Sequence, residues 1–64
     1  MKCPYCEEGE IVVAKIKNSG KIINICEECD TVWEDKINNQ TGMNFDIYMK
    51  SKGFNASWKE LEIQ

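Results

Sequence analysis

Two C-x-x-C pairs, Cys3-Pro4-Tyr5-Cys6 and Cys26-Glu27-Glu28-Cys29, constrain this chain more than any other feature in it. Residues 7–25 separate them, a spacing that matches the pattern of a four-thiolate metal site. Two sulfurs three positions apart on a tight turn grip one ion from the same side. A second such turn, brought opposite, completes a tetrahedron with metal–sulfur distances of about 2.3 Å. Zinc closed in by four thiolates has no open coordination position and is structural. The spacing therefore predicts Cys3, Cys6, Cys26 and Cys29 as the ligands of one structural Zn2+ ion. Spacing alone leaves iron, held by the same four sulfurs, open. A redox pair of the thioredoxin type needs one C-x-x-C between a strand and a helix, and no βαβ unit fits in 64 residues. Two disulfides suit a secreted chain, and nothing here reads as one.

The length makes such a staple necessary. A core in a chain of 64 residues seldom supplies more than about 3–5 kcal/mol of net stability. A structural zinc site contributes on the order of 10–16 kcal/mol of binding free energy, which folding draws on directly.

Charge narrows the function. Eight basic residues stand against 11 acidic ones, for a net charge of −3. All eight are lysines, so the chain has neither arginine nor histidine. It lacks the guanidinium fork that clamps phosphates and reads guanine. It also lacks the side chain that most often moves protons near neutral pH. With the cysteines committed to a metal, the three serines and two threonines have no base to activate them. No enzyme is expected. The opening Met1-Lys2-Cys3-Pro4 contains no apolar leader, and no apolar run approaches the ~20 residues of a membrane span. The expected location is the cytoplasm, whose reducing conditions suit free thiols.

Between the pairs, Glu10 to Lys17 is rich in β-branched residues, Asn18-Ser19-Gly20 supplies turn chemistry, and Lys21 to Ile25 returns. A third strand is predicted at Thr31-Val32-Trp33. Knuckle, hairpin, knuckle, strand: over residues 1–34 this arrangement resembles the zinc-ribbon family. In that family a glycine after each C-x-x-C takes a left-handed backbone, letting sulfur accept amide hydrogen bonds; here Glu7 and Asp30 stand in those places. Asp tolerates that region better than Glu, and the nearby Gly9 offers itself as a substitute in the first turn. The expected fold class is a small metal-stabilised domain. It is a zinc ribbon of two cysteine knuckles and a three-stranded antiparallel sheet (1–34), with a loop and short helical extension (35–64) packed on it, a single domain overall.

A three-residue turn at Asn18-Ser19-Gly20 would set Ile16 opposite Ile22 and Lys17 opposite Lys21. One face would then carry Val12, Ala14, Ile16, Ile22, Asn24 and Cys26. The other would carry Ile11, Val13, Ile23 and Ile25 near the metal, and Lys15, Lys17 and Lys21 at the tip. Both faces are apolar at the base, so the extension is expected to cover one of them; the alternative is that part of it is a docking surface that orders on a partner. Phe45, Tyr48 and Met49 recur at i, i+3, i+4, the spacing of a short helix capped by Asn44 and stopped by Gly53. Ser57-Trp58-Lys59-Glu60 reads as a capping box opening a second helix in which Trp58 and Leu61 share a face, with Asn55 as an alternative, slightly earlier cap.

Two functional expectations follow. Acidic residues flank both knuckles: Glu7, Glu8, Glu27, Glu28 and Asp30. Four thiolates around Zn2+ add −4 + 2 = −2 to the net −3, giving about −5. A negative end of this kind fits a protein–protein interaction with a basic partner, such as a toxin or a nucleic-acid enzyme. Residues Met1 to Val12 also resemble the start of the zinc-binding half of some bacterial antitoxins, which open with C-P-x-C-x-x-G-x; the helix-turn-helix half of those proteins has no counterpart here. The alternative is nucleic-acid binding through Lys15, Lys17 and Lys21, although no aromatic residue interleaves with them for stacking.

Overall fold

A computed structural model describes residues 1–64. Five strands and one helix follow in order: β1 (Ile11–Ile16), β2 (Ile22–Cys26), β3 (Thr31–Trp33), β4 (Met43–Asn44), α1 (Phe45–Ser51), a 3-10 turn (Trp58–Glu60) and β5 (Leu61–Ile63). The strands form one antiparallel sheet in the order β4-β3-β2-β1-β5. The expected three strands are its centre, and both edges come from the C-terminal segment. No helix is long and apolar enough to cross a membrane.

The hairpin register differs from the expectation by one residue. Val12 faces Ile25 and Ala14 faces Ile23, because the loop contains four residues rather than three. Lys17 joins the turn: the amides of Ser19 and Gly20 both donate to the Ile16 carbonyl, at 3.2 and 2.7 Å, and Gly20 closes the loop with φ +75. Since side chains alternate along a strand, a slip of one exchanges the faces of the second strand entirely. Ile23 and Ile25 therefore join Ala14 and Ile16 in the core, and Ile22 is left 47% exposed.

The core gathers Ala14, Ile16, Ile23, Ile25 and Val32 from the sheet with Phe45, Tyr48 and Met49 from α1 and Leu61 from β5. Helix α1 lies on this face. Its start is set by Asn44, whose side-chain oxygen accepts from the amides of Asp46 (2.9 Å) and Ile47 (3.3 Å), two donors the first turn cannot satisfy. Its end is a Schellman motif. Gly53 takes φ +78, its amide donates to the Lys50 carbonyl at 3.1 Å, and the Phe54 amide donates to Met49 at 2.9 Å.

The second expected helix is replaced by a single 3-10 turn that runs into β5. Ser57 does cap it, accepting from the Lys59 amide at 3.2 Å. The reciprocal half of the capping box is missing: Glu60 accepts from the side-chain amide of Asn18 at 2.9 Å, and the Ser57 amide donates to the Asn55 carbonyl. A contact to the hairpin tip has captured the residue that would have closed the box. Leu61 then pairs with Ile16 and Ile63 with Ala14, covering the outer edge of β1.

Candidate metal centre

Both knuckles are built alike. In the first, the Glu7 amide donates to the Cys3 carbonyl at 2.9 Å; in the second, the Asp30 amide donates to the Cys26 carbonyl at 3.1 Å. Each turn closes through a left-handed residue, Glu7 at φ 59 and Asp30 at φ 58. A side chain there costs about 1 kcal/mol against glycine, a local strain carried by the surrounding turn. Gly9 does not take over the left-handed position of the first knuckle. Its role is spatial: a Cβ at Gly9 would stand 2.5 Å from the Cys26 sulfur and 2.7 Å from the Glu28 Cβ, so the knuckles touch across this glycine.

The two turns bring the sulfurs of Cys3, Cys6, Cys26 and Cys29 within 4.8 Å of one another. Cys3 and Cys29 sulfurs are 3.6 Å apart, and those of Cys6 and Cys26 are 3.7 Å apart. A tetrahedron with arms of about 2.3 Å has edges of about 3.8 Å, so these spacings fit an ion bound by four thiolates. All four are free cysteines, far beyond the ~2.05 Å of a disulfide. The donor set therefore fits a metal, and the cluster supports metal binding without selecting zinc over iron.

Backbone amides converge on the sulfurs. Tyr5 donates to Cys3 at 3.4 Å, Gly9 to Cys6 at 3.4 Å, Glu28 to Cys26 at 3.4 Å and Cys29 to Cys26 at 3.5 Å. These donors stabilise charge on sulfur. The amides of Glu8 and Gly9 draw the Cys6 thiol from its ordinary 9.0 down to about 7. Burial pushes Cys26 the other way, to about 12. In the metal-free chain Cys6 and Cys26 therefore ionise unequally, and an incoming cation must displace the protons that remain.

A hydrophobic wall backs the cluster. Trp33 is 2% exposed and packs with Cys3 and Cys26, with Ile11 and Ile37 alongside. Its indole N–H donates to the Asn38 carbonyl at 2.8 Å. Tyr5 meets Trp33 edge-on at 5.7 Å, and its hydroxyl accepts from the Gly42 amide at 3.1 Å. This second face of the hairpin is thus covered at the metal end by the knuckles, Trp33 and the loop that follows. Sequence reasoning did not identify Thr31, a buried residue whose hydroxyl lies 3.0 Å from the Cys29 sulfur. Its only signal was its place two residues after a ligand. Trp58, the other tryptophan, is 36% exposed and leans on Phe45 at 6.2 Å.

Glu7, Glu8, Glu27 and Glu28 are exposed and Asp30 is half-buried, all on the two touching knuckles. None of the five takes part in an ion pair. The lysines at the tip are dispersed. Ile16 donates to the Lys21 carbonyl at 2.8 Å, which continues the register and sets Lys21 on the face of Ile16; Lys15, one residue earlier, points to the opposite face. Lys21 reaches Glu34 at 3.9 Å, where Lys52 also approaches at 3.7 Å. Lys15 and Lys17 are exposed without an ionic partner. The expected grouping of Lys15, Lys17 and Lys21 on one face does not form.

Comparison with protein families, with curated proteins and with solved structures finds no match for this chain.

Proposed function

We propose that this chain is a zinc-ribbon module, non-enzymatic, that works by binding another protein through the acidic end formed by its two knuckles. The observation that carries the reading is the position of five unpaired carboxyl-bearing residues, Glu7, Glu8, Glu27, Glu28 and Asp30, beside a four-sulfur cluster. Zinc in a closed tetrahedron of thiolates does no chemistry on a substrate; it holds the two knuckles together. The four-thiolate site itself would add −2 to the −3 of the chain, so the negative charge concentrates where the carboxylates already stand. A basic protein surface, such as that of a toxin or a nucleic-acid enzyme, is the complementary partner, and attraction of this kind raises the association rate. Free thiols at this site suit a reducing compartment such as the cytoplasm.

The test is capture of partners on zinc-loaded protein, with and without nuclease, beside a Glu27→Lys/Glu28→Lys variant. A basic protein retained after nuclease and lost to the variant supports the reading. Retention that depends on nucleic acid, and that survives the charge reversal but not removal of Lys15 and Lys17, contradicts it.

A further inference from the structure

The sulfur cluster has an asymmetry that closed metal binding does not use. Cys3 and Cys26 are fully buried, at 1% and 0% exposure, while Cys6 and Cys29 are half-buried. Two close sulfur contacts each join one accessible cysteine to one buried cysteine of the other knuckle: Cys6 with Cys26 at 3.7 Å and Cys29 with Cys3 at 3.6 Å. An oxidant small enough to reach the cluster meets Cys6 or Cys29 first, and in either case a buried sulfur of the other knuckle stands within 3.7 Å to resolve it.

We infer that the centre is a reversible peroxide-sensitive switch, which on oxidation exchanges its metal for two cross-knuckle disulfides, Cys6–Cys26 and Cys3–Cys29. The inference rests on the zinc reading above. For each pair, the accessible thiolate attacks hydrogen peroxide. A sulfur–oxygen bond forms, the oxygen–oxygen bond breaks, and the leaving hydroxide takes a proton to become water. The buried thiolate then attacks the sulfenic sulfur; the disulfide forms, the sulfur–oxygen bond breaks, and a second water leaves with a further proton. Two thiolates, one peroxide and two protons give one disulfide and two waters. For the whole centre, two peroxides oxidise four thiolates and release one Zn2+, so the local charge changes from −2 to zero.

The pairing decides what happens to the fold. A bond inside one C-x-x-C turn would leave no sulfur link between the knuckles once the ion departs. Cross-knuckle bonds keep them together, and the backbone contacts that already join them remain: Glu27 donates to the Glu10 carbonyl at 3.1 Å, at the base where Ile11 faces Cys26. The oxidised chain thus keeps its sheet while the acidic end loses two negative charges, weakening attraction for a basic partner without unfolding the protein.

The experiment uses the whole zinc-loaded chain. Zinc content is measured first, and its absence overturns the metal reading on its own; the disulfide map decides the pairing either way. Hydrogen peroxide is then titrated in, with zinc release followed by a chromophoric chelator, disulfides mapped by peptide mass spectrometry and the fold followed by circular dichroism. The expected result is loss of the bound zinc at about two equivalents of peroxide, with a map containing Cys6–Cys26 and Cys3–Cys29. Strand signal is retained, and zinc binding returns after treatment with a dithiol. Bonds within Cys3–Cys6 or Cys26–Cys29, sulfinic acids in place of disulfides, or loss of the strand signal on oxidation would overturn the inference.

Discussion

Gly9→Ala is the most informative single change, because it adds one methyl group at the point where the knuckles meet. That methyl would stand 2.5 Å from the Cys26 sulfur, 2.7 Å from the Glu28 Cβ and 2.9 Å from the Glu28 Cγ. Ordinary carbon contacts lie at about 3.5–4.0 Å, so the overlap is about 1 Å and involves a Cβ that cannot swing aside. Relief requires the second knuckle to move away from the first, and overpacking of this kind costs about 1–3 kcal/mol. Because the displaced sulfur belongs to the metal cluster, the cost falls on metal affinity; about 2 kcal/mol is roughly a 30-fold rise in Kd. The control is Gly53→Ala. Gly53 sits at φ +78, and a methyl added there would meet nothing within 4 Å, so it brings backbone strain of about 1 kcal/mol and no clash. Where metal binding draws on folding, that strain also reaches the metal affinity, but at only about fivefold. Competition with a chelator of known affinity measures both. If Gly9→Ala loses no more affinity than Gly53→Ala, the knuckles are not packed as described.

Three other expectations follow from the same structure. Cys26→Ser should leave the chain largely unfolded at about 37 °C by circular dichroism, because one of the four sulfurs of the metal staple is lost; a folded, metal-free variant would contradict this. Asn44→Ala removes the acceptor for the Asp46 and Ile47 amides and should cost about 1 kcal/mol, read as a Tm lower by about 4–8 °C. Tyr48→Phe should cost about 1 kcal/mol at neutral pH, since the Tyr48 hydroxyl donates to Glu34 at 2.7 Å and the half-exposed carboxylate keeps part of its hydration. That hydrogen bond, with Lys21 and Lys52, holds the Glu34 carboxyl below its ordinary 4.5. Its contribution is fully present above about 4.5 and is lost as pH falls through the lowered folded value. Wild type and variant should therefore converge in acid, and a stability gap that persists there would contradict the assignment.

The parts of this fold legible in the sequence are those with local causes. Four cysteines at a metal spacing, three β-rich runs, an Asn44 cap and a Gly53 stop each carry their own chemistry, and each sits where that chemistry needs it. The register was not legible, because a Ser-Gly turn closes a three- or a four-residue loop equally well; what selects the longer loop is burial of Ile23 and Ile25 under α1. Strand β4 has two residues and pairs only because the chain after Trp33 folds back, so no periodicity announces it. Strand β5 was hidden by a capping signature that Asn18, 42 positions from Glu60, partly redirects. At the centre, the gathering of the four cysteines was legible and its surroundings were not. The Thr31 hydroxyl and the packing role of Gly9 exist only once the two knuckles meet.

The central claim is that four cysteine sulfurs from two knuckles close around a single metal ion. X-ray absorption at the zinc edge of the zinc-loaded chain tests it most directly. The account predicts one zinc per chain with four sulfur neighbours at about 2.3 Å and no nitrogen or oxygen in the shell. A shell with fewer than four sulfurs, or a chain that folds fully and takes up no metal, would contradict it.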